Sequence, residues 1–118
     1  MFPKYFNEEE FKCKGAACCG GSAPMDALLL SRLVSLREKL GEPIFINSGY
    51  RCKIHNAHVG GASKSFHTYG KAADIRTGKL DPVSFGKIAK TIFPCVIVYD
   101  AWIHVDVREG AYYADKRS

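Results

Sequence analysis

The sequence contains no run of about eighteen apolar residues, so it offers no segment that could span a membrane as a helix. Its start, Met1-Phe2-Pro3-Lys4, lacks the apolar core of a secretory signal peptide, which predicts a chain that is cytoplasmic at synthesis. Internal repeats and low-complexity segments are also absent. With 118 residues and 47% apolar content, we expect one globular domain over residues 1–118.

Acidic residues are scarce: 12 Asp and Glu stand against 17 Lys and Arg, which gives a formal net charge of +5. The basic residues are scattered along the chain, and we find no helix-turn-helix, aromatic RNA motif or basic arm. A nucleic-acid partner is therefore not expected. The positive charge either favours approach to an anionic polymer or serves solubility alone.

The five cysteines are an odd number and lack the paired spacing of a zinc ribbon. Cys13, Cys18 and Cys19 fall in a Gly/Ala-rich segment that either forms a second metal site, with Cys52 or a distant ligand, or is a loop of reduced thiols. A thiol-based metal or redox protein is the weakest functional alternative that these residues leave open. Cys95 lies in an apolar run and is predicted to be a buried thiol.

Periodicity and capping residues predict helices packed on one side of a small antiparallel sheet, an α+β fold. The predicted helices cover 7–11, 25–40 and 81–93, with a short helix or loop over 54–59. Leucines at 29, 33, 36 and 40 form a stripe at helical spacing in the second of them, and Asp81 is the predicted cap of the third. Predicted strands cover 43–47, 72–76, 96–99 and 102–107, and the last two form a hairpin that turns near Asp100-Ala101. The polar tail from Ala111 to Ser118 is expected to fray.

Two histidines and a carboxylate have the residue types of a catalytic zinc site, which needs three protein ligands and an open position for water. His67 and Asp74 frame a segment with Gly70 and two alanines, which permits a tight turn and close packing. His104 alternates with apolar residues in a strand pattern. Ordinary half-buried histidines and a turn-capping aspartate would give the same pattern, and residue chemistry alone leaves both interpretations open.

Four ordered motifs resemble the zinc D-Ala-D-Ala carboxypeptidase family. They are Ser48-Gly49-Tyr50-Arg51, Val59-Gly60-Gly61-Ala62, Ser65-x-His67-x-x-Gly70-x-Ala72-x-Asp74 and Ile103-His104-Val105-Asp106-Val107-Arg108. That family includes bacterial carboxypeptidases, D-Ala-D-Ala dipeptidases and phage L-Ala-D-Glu endolysins, and its fold is shared with the hedgehog signalling domain. The similarity runs from about residue 6 to residue 108, with 109–118 as a C-terminal tail.

The resemblance implies roles for five residues. His67, Asp74 and His104 match the ligands of one catalytic Zn²⁺. Arg51 matches an arginine that binds substrate and stabilises the oxyanion, a task suited to a permanently charged guanidinium with several donors. Ser65 either hydrogen-bonds substrate or forms a turn.

The general base departs from the family pattern. The family usually places Glu or Asp three residues before the last zinc histidine, where this chain has Ala101. In a regular strand Asp100 would share a face with His104, so we predict that Asp100 deprotonates the water. The alternative candidate is Asp106, which would otherwise accept a hydrogen bond from a ligand imidazole.

We therefore expect a monomeric zinc peptidase that hydrolyses peptidoglycan stem peptides, as a D-Ala-D-Ala carboxypeptidase or an endolysin-type endopeptidase. The lack of a signal peptide favours a phage or prophage product that acts on the cell wall. Because of Ala101, the alternative is a non-catalytic zinc-binding domain of the same fold that binds cell-wall peptide or a protein partner.

Overall fold

The computed structural model describes residues 4–15, 24–61 and 65–118, which contain three α-helices, two 3-10 helices and five strands. In chain order the elements are a 3-10 helix (Glu8–Phe11), α1 (Ala27–Leu40), β1 (Ile44–Ser48), α2 (Lys53–His58), a second 3-10 helix (Phe66–Tyr69), β2 (Ala72–Thr77), α3 (Pro82–Ala89), β3 (Cys95–Val98), β4 (Ile103–Asp106) and β5 (Tyr112–Asp115). This is the predicted α+β class. In these ranges no helix has both the length and the apolar character to cross a membrane.

Capping residues define the ends of α1 and the start of α3. The Asp26 carboxylate accepts from the backbone N–H groups of Leu28 (2.9 Å) and Leu29 (3.1 Å), and Gly41 ends α1 in the left-handed region with φ 73°. Asp81 caps α3 as predicted, through a 2.8 Å bond from the Ser84 N–H. Helix α3 ends at Ala89, earlier than the predicted residue 93, where i to i−3 bonds from the Thr91 N–H to the Ile88 carbonyl (3.1 Å) and from the Ile92 N–H to the Ala89 carbonyl (2.9 Å) tighten the last turn.

The five strands form one sheet in the order β1-β2-β4-β3-β5. Strands β1 to β4 pair antiparallel, and Asp74 of β2 lies directly opposite His104 of β4. That register places residues from two distant motifs on neighbouring strands.

The C-terminal tail differs from the prediction, because residues 112–115 form β5 parallel to β3. Backbone bonds from the Tyr112 N–H to the Pro94 carbonyl (2.8 Å) and from the Lys116 N–H to the Val98 carbonyl (2.7 Å) fix this pairing. The expectation of a frayed tail and an all-antiparallel sheet was therefore wrong. An edge strand keeps polar, exposed residues, so composition alone did not distinguish it from a loop.

The two faces of the sheet have different environments. One face carries fully or almost fully buried apolar residues that pack with α1 and α3, among them Ala73, Ile75, Val96, Val98, Ile103 and Val105. Leu29, Leu33 and Leu36 of the predicted leucine stripe are fully buried in the same core. Because side chains alternate along a strand, Asp74, His104 and Asp106 lie on the opposite face.

Candidate metal centre

His67, Asp74 and His104 converge from three parts of the chain. Asp74 and His104 are cross-strand neighbours on β2 and β4, and His67 lies in the 3-10 helix just before β2. The Asp74 Oδ1 atom is 3.2 Å from His67 Nε2 and 3.2 Å from His104 Nδ1. One ligand atom from each residue lies within 4.8 Å of the others, a spacing that can hold a metal ion.

The second nitrogen of each imidazole is fixed by an acceptor outside this cluster. His67 Nδ1 is 2.7 Å from the Gly49 carbonyl oxygen, and His104 Nε2 is 2.7 Å from Asp106 Oδ2. A carbonyl oxygen and a carboxylate only accept, so these two nitrogens donate. Zinc-binding histidines almost always make such outer hydrogen bonds, which fix the tautomer and the ring orientation.

The nitrogens that face Asp74 are His67 Nε2 and His104 Nδ1, and in a neutral ring they carry no proton. If both imidazoles are neutral, two lone pairs and a carboxylate oxygen point at one another, which is unfavourable unless a cation or extra protons lie between them. Zinc accepts imidazole nitrogen and carboxylate oxygen, and three protein ligands leave a position open. The residues present thus fit a catalytic zinc ion.

Charge and burial shift the pKa values of these residues strongly. Burial alone would raise the pKa of Asp74, but its bonds to His104 and His67 outweigh burial and hold the pKa well below its ordinary value. For His104, burial favours the neutral ring, yet Asp106 and Asp74 raise the pKa to about 10 without metal. A proton and a metal ion therefore compete for the same nitrogen.

Asp106 is fully buried and both of its oxygens have partners. Its Oδ1 accepts from Arg108 Nε (2.8 Å) and the Arg108 backbone N–H (3.1 Å), and its Oδ2 accepts from Arg108 Nη2 (2.6 Å) as well as His104. Burial would raise the pKa of Asp106, but these hydrogen bonds lower it well below normal. This geometry agrees with Asp106 as the hydrogen-bond acceptor for the His104 ring. It leaves no lone pair of Asp106 directed at a water in the cleft.

A cleft of about 520 Å³ opens over the three converging side chains. Its other walls include Arg51, Ser65, Phe66, Tyr99, Trp102 and Arg108. Arg51 Nη2 donates to Ser65 Oγ at 3.3 Å, whereas the buried Arg51 Nε has no hydrogen-bond partner among the described residues. Burial lowers the pKa of Arg51, although the Asp74 charge opposes this, and the guanidinium stays charged.

The sequence left the role of Ser65 open, and the structure shows two hydrogen bonds to its hydroxyl oxygen. Its Oγ accepts from the His67 backbone N–H at 3.2 Å, which caps the 3-10 helix that carries His67, and it accepts from Arg51. The Arg51 backbone N–H also donates to the His67 carbonyl at 3.1 Å. Ser65 thus links the arginine to the first histidine, and it also lines the cleft.

The structure contradicts the prediction that Asp100 faces the cleft. Its side chain is exposed, accepts from the Ser118 N–H at 3.0 Å and borders a separate depression with Asp81 and Arg117. The reason is local: strand β4 begins only at Ile103, and a turn closed by the Tyr99 N–H to Trp102 carbonyl bond (2.9 Å) breaks the alternation. Strand alternation counted from His104 therefore does not predict the direction of the Asp100 side chain.

Tyr99 and Arg108 line the cleft but were not singled out from the sequence. Tyr99 stacks on Trp102 with ring centroids 5.1 Å apart and an interplanar angle of 21°. Burial and the Asp74 charge raise the pKa of Tyr99, so the phenol stays neutral near pH 7. Alternation from the cleft-facing Ile97 would have indicated Tyr99, and alternation from His104 through Asp106 would have indicated Arg108.

The cysteines fall into two groups in the structure. Cys95 is fully buried as predicted, and its sulfur lies near His104 and Asp106. Cys13 and Cys52 are both buried, with their Sγ atoms 3.8 Å apart. Cys18 and Cys19, which the sequence suggested as further metal ligands, lie outside the described residues.

The chain is similar in sequence to known peptidases. The profile of the peptidase M15 family matches residues 4–106, most of the chain. The chain belongs to the peptidase M15 family. It is 39% identical over 66 residues to the zinc D-Ala-D-Ala carboxypeptidase of Streptomyces albus G, a match that covers 54% of this chain and 26% of that protein. The chain thus corresponds to about a quarter of the length of this M15 relative.

Proposed function

We propose that this M15 domain is a zinc-dependent peptidase that hydrolyses peptide bonds in peptidoglycan stem peptides, as a carboxypeptidase or an endolysin-type endopeptidase. The observation that carries the proposal is the convergence of His67 Nε2, Asp74 Oδ1 and His104 Nδ1, with the outer nitrogens of both rings already bonded. The name of the Streptomyces relative supports the substrate class.

His67, Asp74 and His104 would hold the ion at the base of the cleft. When bound there, zinc supplies a Lewis acid and lowers the pKa of a coordinated water towards about 7. The chain's own contribution is rigidity: Gly49 and Asp106 hold the two imidazoles, and Arg108 holds Asp106. Preorganised ligands of this kind keep the open position directed into the cleft.

Arg51 is the residue that we assign to substrate binding. It lines the cleft, and its guanidinium has five N–H donors, of which one on Nη2 donates to Ser65 Oγ. A guanidinium binds a carboxylate through two parallel hydrogen bonds. A free C-terminal carboxylate next to the scissile bond would use this group, which favours the carboxypeptidase over the endopeptidase.

Tyr99 is the residue that we assign to stabilising the oxyanion, a different role from the general base predicted at Asp100. Among the described residues that line the cleft, the only carboxylate is that of the proposed ligand Asp74. The methyl side chain of Ala101 cannot act as an acid or a base. The neutral Tyr99 phenol, held by its stack on Trp102, would donate a hydrogen bond to the carbonyl oxygen as negative charge develops there. Arg51 would stabilise the same charge from its own position in the cleft.

The test is hydrolysis of purified peptidoglycan and defined stem peptides, with products resolved by mass. Zinc-loaded wild type should cleave, His67→Ala should not, and Tyr99→Phe should lose activity on the order of 100-fold. Asp100→Ala is the matched control and should retain wild-type activity. Arg51→Gln should raise KM more for peptides with a free C-terminal carboxylate than for C-terminal amides.

The second candidate is a non-catalytic zinc domain that binds wall peptide or a protein. The specific observation in its favour is that no carboxylate other than Asp74 lines the described part of the cleft. A folded, zinc-loaded wild type that binds stem peptide without cleaving it would support this candidate and reject the peptidase.

A further inference from the structure

Arg76 lies on the same face of the sheet as the metal centre. It follows Asp74 by two positions in β2, and side chains two positions apart along a strand point to the same side. The Cα atoms of these two residues are therefore about 7 Å apart. Arg76 and Trp102 line a small depression of about 60 Å³, and Trp102 also lines the cleft over the metal centre. The exposed Arg76 side chain thus lies beside this cleft.

The charge of Arg76 has no acidic partner among the described residues. Its Nε donates to the neutral Asn47 side chain at 3.1 Å, and its Cζ lies over the Phe45 ring, 4.7 Å from the ring centroid. These two contacts hold the guanidinium in place without neutralising it. Both Nη groups remain able to bind a carboxylate through two parallel hydrogen bonds.

Two other arginines of the chain show that this arrangement is unusual here. Each follows an aspartate by two positions, as Arg76 does, and each forms an ion pair with it: Arg108 with Asp106 at 2.6 Å, and Arg117 with Asp115 at 2.7 Å. The aspartate that precedes Arg76 is directed instead at the two histidines of the metal centre. Arg76 therefore keeps an uncompensated positive charge next to the cleft.

Arg51 and Arg76 lie on opposite sides of the metal centre along the direction of β2. The Arg51 backbone N–H donates to the carbonyl of His67, which comes before the start of β2. Arg76 is next to the last residue of the same strand, and Asp74 lies between the two ends. A peptide that crosses the centre along this direction would have one arginine on each side of its scissile bond.

This placement gives Arg76 a role in the choice of substrate. If Arg51 binds the C-terminal carboxylate, as proposed above, the amino side of the substrate extends towards Arg76. An extended peptide advances about 3.3 Å per residue, so about 7 Å corresponds to two residues. We propose that Arg76 is a specificity-determining residue that binds an acidic side chain of the substrate about two positions before the scissile bond. This inference rests on the proposed peptidase function.

The test compares two peptides that differ only in Glu or Gln at this position and have a reduced, uncleavable scissile bond. Trp102 is the single tryptophan of the chain and lines the same depression as Arg76, so its fluorescence should report binding. Zinc-loaded wild type should bind the Glu peptide about two- to fivefold more tightly, the range expected for an exposed ion pair. This ratio should fall as the salt concentration rises.

Arg76→Gln should bring the affinity ratio to about one, and Arg76→Lys should retain part of it because the charge remains. The matched control is Arg117→Gln, which changes an exposed arginine outside the cleft and should keep the wild-type ratio. Circular dichroism verifies that each variant is folded. Equal affinity of wild type for the two peptides, or an unchanged ratio in folded Arg76→Gln, would overturn the proposal.

The binding assay separates this inference from the proposed function, because binding does not require cleavage. Hydrolysis is measured in parallel with the cleavable forms of both peptides. A preference for the Glu peptide that depends on Arg76, in a zinc-loaded protein that hydrolyses neither cleavable form, would reject the peptidase and support the carboxylate-binding role of Arg76. Hydrolysis of both forms at equal kcat/KM, without a difference in affinity, would support the peptidase and reject this role.

Discussion

Asp106→Asn removes one charge from the outer side of the metal centre and leaves the side-chain shape nearly unchanged. Asp106 is fully buried, and its two oxygens accept from His104 Nε2 at 2.7 Å and from Arg108 at 2.6 to 3.1 Å. An asparagine has one oxygen and one NH₂ group. Its NH₂ group must therefore face donors: at the Oδ2 position these are His104 Nε2–H and Arg108 Nη2, and at the Oδ1 position they are the Nε and the backbone N–H of Arg108.

Both orientations weaken metal binding, because in either one the His104 ring loses the carboxylate charge that raises its basicity as a ligand. If the NH₂ group faces His104, the ring loses the partner that fixes its tautomer and its Nδ1 is no longer held towards Asp74. Loss of such an outer partner lowers metal affinity by about 10- to 100-fold. If the NH₂ group faces Arg108, the guanidinium loses a charged partner, which costs about 1–3 kcal/mol of folding stability; the 30% exposure of the Arg108 side chain keeps the cost towards the lower end.

Competition with a chromophoric chelator measures the zinc affinity, and circular dichroism verifies that the variant is folded. Asp100→Asn makes the same chemical change at an exposed residue outside the cleft and should leave the affinity unchanged. A folded Asp106→Asn protein whose zinc Kd lies within twofold of wild type would refute the reasoning that Asp106 positions His104.

Three further predictions concern stability. Leu33→Ala should lower the free energy of unfolding by about 2–5 kcal/mol in chemical denaturation, because Leu33 is fully buried under the sheet; a loss below 1 kcal/mol would contradict this. Gly70→Ala should destabilise more than Gly41→Ala in the same assay: both glycines have positive φ, but a Cβ on Gly70 would lie 1.8 Å from the Pro24 carbonyl oxygen, whereas nothing lies within 4 Å at Gly41. Metal-free protein should lose thermal stability as pH rises from about 6.5 to about 10, because the folded pKa of His104 is raised to about 10 and its contribution is complete only below the unfolded pKa; a Tm that is flat over this range with chelator present would contradict it.

The sequence predicted the elements that rest on local signals. The leucine stripe and Gly41 predicted α1 correctly up to its end at Leu40, and its start lies two residues after the predicted Met25, because Asp26 is the cap and not part of the first turn. The strand alternation around His104 correctly separated its face from that of Ile103 and Val105. These features depend on residues close together in sequence, where periodicity is informative.

The errors arose where tertiary contacts decide the outcome. The alternation that indicated His104 was extended to Asp100, three residues before the start of β4 and within a turn, and so misplaced Asp100. Strand β5 exists because its backbone pairs with β3, and its exposed, polar residues carry little apolar signal. The Gly49 carbonyl, which orients His67, could not be predicted at all, since a backbone oxygen has no signature in sequence.

The outer hydrogen bonds also determine what happens when the centre has no metal. Gly49 and Asp106 each accept a hydrogen bond from the N–H group of one imidazole. A ring that flipped to donate this N–H to Asp74 would lose its 2.7 Å hydrogen bond. The least costly way to neutralise the inner acceptors is then a proton, and the raised pKa of His104 reflects this. Binding of a metal ion at neutral pH would therefore require the His104 ring to release a proton, so we expect the zinc affinity of the proposed site to increase with pH.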